Sequence, residues 1–126
     1  MAFRALRGAI TVTEDSEREI LDATRELVTT LLEANQLTTS SIISAFFTCT
    51  PDLRSAFPAR AARELGLDNA ALLCATEIDV PGALPRCIRT LVHVETEQRQ
   101  DQVRHVYLRE ARKLRPEFAK DPENTR

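Results

Sequence analysis

Within the stretch ALPRCIRTLVHVE, residues 83–95, residues 86–95 read as a β-strand with an arginine in its middle. Alternation puts Ile88, Thr90, Val92 and Val94 on one face and Cys87, Arg89, Leu91 and His93 on the other. The first set is natural core. The second carries a guanidinium, and burying one without a partner costs several kcal/mol. The fold must therefore leave Arg89 a face that no helix covers.

Working outward, residues 71–80 form a preceding strand, with Pro81, Gly82 and Pro85 in the link between them. A link this short favours an antiparallel hairpin. Upstream, Pro58 suits the first turn and Gly66 the end of a short helix, PARAAREL. Residues 42–50, IISAFFTCT, form a strand apolar enough to be covered on both faces. Ser16 and Glu19 form a capping box ahead of a helical stripe of Ile20, Leu21, Thr24, Leu27, Val28, Leu31 and Leu32, with Asn35 as a left-handed stop. FRALRGAITV, residues 3–12, is the first strand, with Phe3, Ala5, Arg7 and Ala9 on one face and Leu6, Gly8, Ile10 and Val12 on the other. Near the end Val103, Val106, Tyr107, Ala111 and Leu114 recur at helical spacing, and residues 116–126 read as a flexible tail.

The element order β-α-β-α-β-β implies an α+β fold, a mixed sheet with helices packed on one face. The strand-helix-strand units favour parallel pairing with right-handed crossovers. Too few helices remain to cover the other face, which points to an oligomer. The chain has 126 residues, the size of a single domain over 1–126. Its formal net charge is -2, which favours neither nucleic acid nor membrane. No apolar run approaches the ~18 residues of a membrane span, and nothing resembles an export signal. Cys49, Cys74 and Cys87 include no C-x-x-C pair, and His93 and His105 lie far apart. A structural metal site is not expected, and reduced thiols fit a cytoplasmic protein. Cys49 and Cys87 read as small buried hydrophobes, and His105 has no assigned role in chemistry.

Three strands carry a charge where core is expected: Arg7, Glu77 and Arg89. One reading is an ion-pair network between subunits. The other is an anion site, because the three charges sum to +1 and arginine's fork suits a carboxylate.

Taken together, RGAITV, TPDLRSAFPARAAREL, PRCIR and QVRHVYLREARKLRP resemble the AroH class of chorismate mutases, from about residue 3 to residue 118. The resemblance implies a homotrimeric pseudo-α/β-barrel with active sites between neighbours. It implies the pericyclic conversion of chorismate to prephenate, in the synthesis of phenylalanine and tyrosine, without cofactor. By the same resemblance Arg89 contacts the ether oxygen and the side-chain carboxylate, with Arg7 and Tyr107 on that carboxylate. Glu77 accepts from the ring hydroxyl with Cys74 beside it. Phe57, Ala59 and Arg63 match residues of a neighbouring subunit, and Leu114 and Arg115 match a segment that closes near the site. Arg60 stands where other members carry lysine, and Leu73 where a polar residue is expected. Alternation places Cys74 and Glu77 on opposite faces, so either a bulge lies between them or Cys74 acts through its backbone. Tyr107 also reads as simple core, and Arg63 as a solvated arginine paired with Glu64 or Glu110. Two other functions fit the same architecture, a trimeric imine or enamine hydrolase and a trimer that binds an aromatic acid without turnover.

Overall fold

The computed structural model describes residues 2–116. The major elements are β1 (Ala2–Thr11), α1 (Glu17–Ala34), β2 (Ile42–Cys49), α2 (Pro58–Glu64), β3 (Ala71–Thr76), β4 (Cys87–Thr96) and β5 (Val106–Tyr107). The strands form one mixed sheet in the order β3-β2-β4-β1-β5. The stretch around Arg89 is thus the central strand. It pairs antiparallel with β1 on one side and β2 on the other.

The expected hairpin between β3 and β4 does not form. β3 pairs in parallel with β2, and β4 sits on the far side of β2. Residues 77–86 are long enough to pass over the end of β2, whose neighbouring strand axis lies only about 4.8 Å away. β1 and β2 do run in the same direction, as a strand-helix-strand unit requires, but β4 is inserted between them.

α1 begins as its cap residues dictate. The Ser16 hydroxyl accepts from the Glu19 N–H at 3.1 Å. The reciprocal half of the capping box is diverted: the Glu19 carboxylate accepts from the Thr13 N–H at 2.9 Å and the Thr13 hydroxyl at 2.8 Å. Asn35 is not the left-handed stop. Its φ is -108°, and Gln36 takes the positive value, +57°. The reason lies in what the Asn35 amide does. It is buried, donates to the Leu31 and Arg104 carbonyls, and accepts from the Arg104 N–H at 2.8 Å.

One face of the sheet carries the core. Leu6 and Ile10 of β1, Ala45 and Phe47 of β2, and Ile88, Val92 and Val94 of β4 pack beneath Ile20, Leu27 and Leu31 of α1 and Ala59 and Ala62 of α2. Gly8 permits the closest approach. A Cβ there would stand 3.0 Å from both Leu27 Cδ1 and the Val106 carbonyl oxygen. A register shift at Ile42/Ser44 turns Ile42 into the core and leaves Ile43 partly exposed.

The C-terminal segment is not helical. Val106 joins the main core, while Tyr107 joins a small cluster with Ala9, Cys87 and Ala111 on the opposite face. Adjacent residues buried on opposite faces are the mark of a strand. A 3₁₀ turn, Arg109–Lys113, follows, and the φ of +56° at Arg109 rules out a continuous α-helix. Most of the expected C-terminal tail lies outside the described residues.

The second face of the sheet is open, as its composition requires. Phe3, Phe46 and Leu73 are 69%, 41% and 58% exposed. β2 is therefore apolar on both faces but covered on one.

Candidate functional site

The register of the sheet assembles the site on the open face. Across β4, Arg89 lies directly opposite Ala9 of β1 and Thr48 of β2. Ala9 lies in turn opposite Tyr107 of β5. Tyr107, Ala9, Arg89 and Thr48 thus form one row. In the next row Arg7 faces Leu91, which faces Phe46. Arg7 and Arg89 are diagonal neighbours, within reach of one ligand for side chains of that length.

Glu77 enters from the end of β3. Its N–H donates to the Cys49 carbonyl at 2.8 Å, which continues the β2–β3 pairing by one residue. Its carboxylate then lies over β2, where Oε1 accepts from the Thr48 hydroxyl at 2.5 Å. Arg89 Nε stands 3.7 Å from the same oxygen. The pair is partly solvated, so its value to stability is small, and its consequence is orientation.

These side chains line a cleft of about 460 Å³, together with Leu114 and Arg115. Among the described residues its lining includes the guanidinium groups of Arg7, Arg89 and Arg115 and the carboxylate of Glu77. A ligand carrying two carboxylates and a hydroxyl matches that set: guanidinium forks for the carboxylates, and an acceptor for the hydroxyl. Beneath the row, burial pushes the Cys87 thiol up to about 11 despite the nearby Arg89, and burial pushes Cys49 up to about 12. Both thiols are neutral near pH 7 and supply neither nucleophile nor base. Among the described residues no group of His, Cys, Asp and Glu side chains is arranged to hold a metal ion.

The remaining expected residues lie elsewhere on the subunit. Phe57, Arg60 and Cys74 line a second cleft of about 450 Å³ at the start of α2. Arg60 there contacts Glu17 at 3.2 Å and Glu64 at 3.6 Å. Leu73 projects from the open face. Ala59 is 5% exposed within the core, and Arg63 is exposed on α2 and lines neither cleft. The β2–β3 pairing runs without a register shift from Ser44/Ala71 to Cys49/Thr76. No bulge brings Cys74 round to Glu77, and the two line different clefts, as alternation requires.

Two residues, one lining the cleft and one bonded to the Arg7 backbone, carry no signal in the sequence. Thr48 is one, because the pairing that sets it opposite Arg89 is non-local. His105 is the other. Its Nδ1 accepts from the Arg7 backbone N–H at 2.9 Å, which places the ring proton on Nε2. Burial first, then the charges of Arg7 and Arg115, hold its pKa below the ordinary histidine value.

The chain matches known proteins along most of its length. The family model for chorismate mutase type I matches residues 3–118. The chorismate mutase AroH of Thermus thermophilus is 54% identical over 116 residues, covering 91% of this chain and 95% of that protein. The chorismate mutase AroH of Bacillus subtilis strain 168 is 42% identical over 120 residues, covering 94% of each. The solved structure of a chorismate mutase from Clostridium thermocellum superposes with a TM-score of 0.84 at 46% identity, covering 86% of this chain and 96% of that one.

Proposed function

Because this chain belongs to the chorismate mutase type I family and is an enzyme that rearranges chorismate to prephenate, we propose that the Arg89 cleft is where it does so. The observation that carries this reading is that Arg7, Arg89, Glu77 and Tyr107 line one cleft on the open sheet face, with Arg89 on the central strand. The substrate is a dicarboxylate with a ring hydroxyl and an enol ether, and guanidinium forks suit its carboxylates.

The rearrangement breaks the ether C–O bond as a C–C bond forms within the same molecule, and no proton moves. The protein therefore contributes in two ways. It holds the enolpyruvyl side chain over the ring in a reactive conformer. It also sets positive charge where the ether oxygen gains negative charge. Arg89 takes the second role and shares the side-chain carboxylate with Arg7 and Tyr107. Glu77 accepts from the ring hydroxyl. Leu114 and Arg115 close the cleft from the C-terminal side. Arg89 is suited to its role by its place on the central strand, where two neighbouring strands hold its backbone.

The second cleft belongs to the same active site in this reading. The open face carries Phe3, Phe46 and Leu73 in contact with solvent, and three copies of the chain cover these faces mutually as a homotrimer. Phe57, Ala59 and Arg63 then come from a neighbouring copy, with Arg60, Cys74 and Leu73 at the boundary. Ala59 contributes through its backbone, since its side chain is in the core. The chain works as one domain over residues 1–126, in the cytoplasm. No helix among the described residues is long and apolar enough to cross a membrane.

The test is direct. Purified protein is mixed with chorismate, its absorbance is followed, and the product is identified as prephenate. Arg89→Ala lowers turnover by at least ~10²-fold, the scale of losing one preorganised donor. Activity of that variant within a few-fold of the unchanged protein removes Arg89 from the mechanism.

A further inference from the structure

We propose that Thr48 is a positioning residue for this reaction, its hydroxyl holding the Glu77 carboxylate back from Arg89. The proposal rests on the roles given above to Arg89 and Glu77. Thr48 lies directly opposite Arg89 across the β2–β4 ladder. Its Oγ1 donates to Glu77 Oε1 at 2.5 Å, while Arg89 Nε stands 3.7 Å from that same oxygen. An arginine and a carboxylate left to themselves close to about 2.7–2.9 Å, commonly with two parallel N–H···O bonds. Here they do not, although Glu77 is the one carboxylate paired with Arg89 among the described residues.

The hydroxyl explains the difference. It occupies Oε1 with a short hydrogen bond and fixes the plane of the carboxylate. No described residue hydrogen-bonds Oε2, which leaves that oxygen as the acceptor for the ring hydroxyl. The Arg89 fork in turn keeps its N–H groups for the substrate. Without the hydroxyl, Glu77 swings onto Arg89 and the two neutralise each other. The guanidinium is then engaged when charge develops on the ether oxygen, so the loss falls on the chemical step.

Threonine at this position permits a clean test, because valine has the same shape, keeps the β-branched side chain that suits a strand, and lacks the hydroxyl. Thr48→Val lowers kcat about tenfold or more, the scale at which small misplacements of reacting groups act. Its KM changes by a smaller factor. Thr48→Ser restores the hydroxyl and returns kcat to within about threefold. Thr48→Ala, which also lacks the hydroxyl, serves should the valine variant fold poorly. In a Glu77→Ala background, Thr48→Val causes no further loss, because the competing carboxylate is gone.

Arg89→Ala is measured alongside. If it loses activity while Thr48→Val turns over within about twofold of the unchanged protein, the proposal for Thr48 is overturned and the Arg89 reading stands. The proposal for Thr48 is equally overturned if Thr48→Ser is as impaired as Thr48→Val, or if Thr48→Val is additive with Glu77→Ala. If Arg89→Ala retains activity, the reading of the cleft itself falls, and with it the role of Thr48.

Discussion

Replacing Gly8 by alanine adds one methyl group at the point where helix, first strand and last strand meet. The new Cβ stands 3.0 Å from Leu27 Cδ1, 3.0 Å from the Val106 carbonyl oxygen and 3.1 Å from Leu31 Cδ1. Comfortable carbon contacts lie near 3.5–4.0 Å. A few tenths of an ångström must be found on three sides at once. Leu27 and Leu31 are buried in the core and have little room to turn. The Val106 carbonyl belongs to a segment pinned to β1 on either side. Arg7 N–H donates to His105 Nδ1 at 2.9 Å, and Leu108 N–H donates to the Ala9 carbonyl at 2.9 Å. Overpacking of this kind costs about 1–3 kcal/mol. At a urea slope of about 2 kcal/mol/M, the unfolding midpoint falls by roughly 1 M. The measurement is urea unfolding by circular dichroism at one fixed protein concentration, because the proposed assembly would make stability concentration-dependent. kcat/KM for chorismate also falls, because the strand that shifts carries Tyr107. Gly66→Ala is the control. Its φ is +103°, but the nearest atom to an added Cβ is Thr39 Oγ1 at 3.7 Å. It costs about 1–2 kcal/mol through backbone conformation alone and leaves turnover unchanged. A Gly8→Ala variant with the midpoint and kcat/KM of the unchanged protein would refute the close approach on which this rests.

Three further outcomes are expected. Leu73→Arg places a charge in the open apolar face, so light scattering after size exclusion reports monomers in place of trimers, with turnover lost; a trimer that survives intact moves the interface elsewhere. His105 binds a proton less readily folded than unfolded, so its contribution to stability is complete above the unfolded value near 6.5 and is lost as pH falls through the lower folded value. Turnover is flat from about pH 6 to 9, where general acid–base catalysis gives a bell, and declines below that range as His105 releases the Arg7 N–H; His105→Asn, which keeps a neutral acceptor, shows a weaker acid decline in both urea midpoint and turnover. The native Cys87 thiol, buried and held up at about 11, resists alkylation by iodoacetamide at pH 8 and reacts after unfolding, as peptide mass mapping reads out; rapid native labelling contradicts its burial.

What local sequence determines, it determined here. The Ser16 cap, the α1 stripe, Pro58 at the head of α2 and the alternation along β1 and β4 all depend on neighbours within a few residues, and β1, α1, β2, α2 and β4 lie within two residues of their expected ends. The charges Arg7, Glu77 and Arg89 on otherwise apolar strands marked an uncovered face, because burying charge is too costly to pass without a partner. The tertiary structure alone decided who stands beside whom. The order β3-β2-β4-β1-β5 sets Arg89 on the central strand, puts Thr48 across from it and brings Tyr107 in on a short final strand. Helical spacing misread that last segment because Val106 and Tyr107 are buried on opposite faces of one sheet, in two different clusters. Ala59 matched the family in sequence yet lies in the core, and Cys74 lies across the sheet from Glu77, because a motif records order along the chain and not direction in space. Strand order and register are selected by contacts between residues far apart in the chain, and no local pattern encodes them.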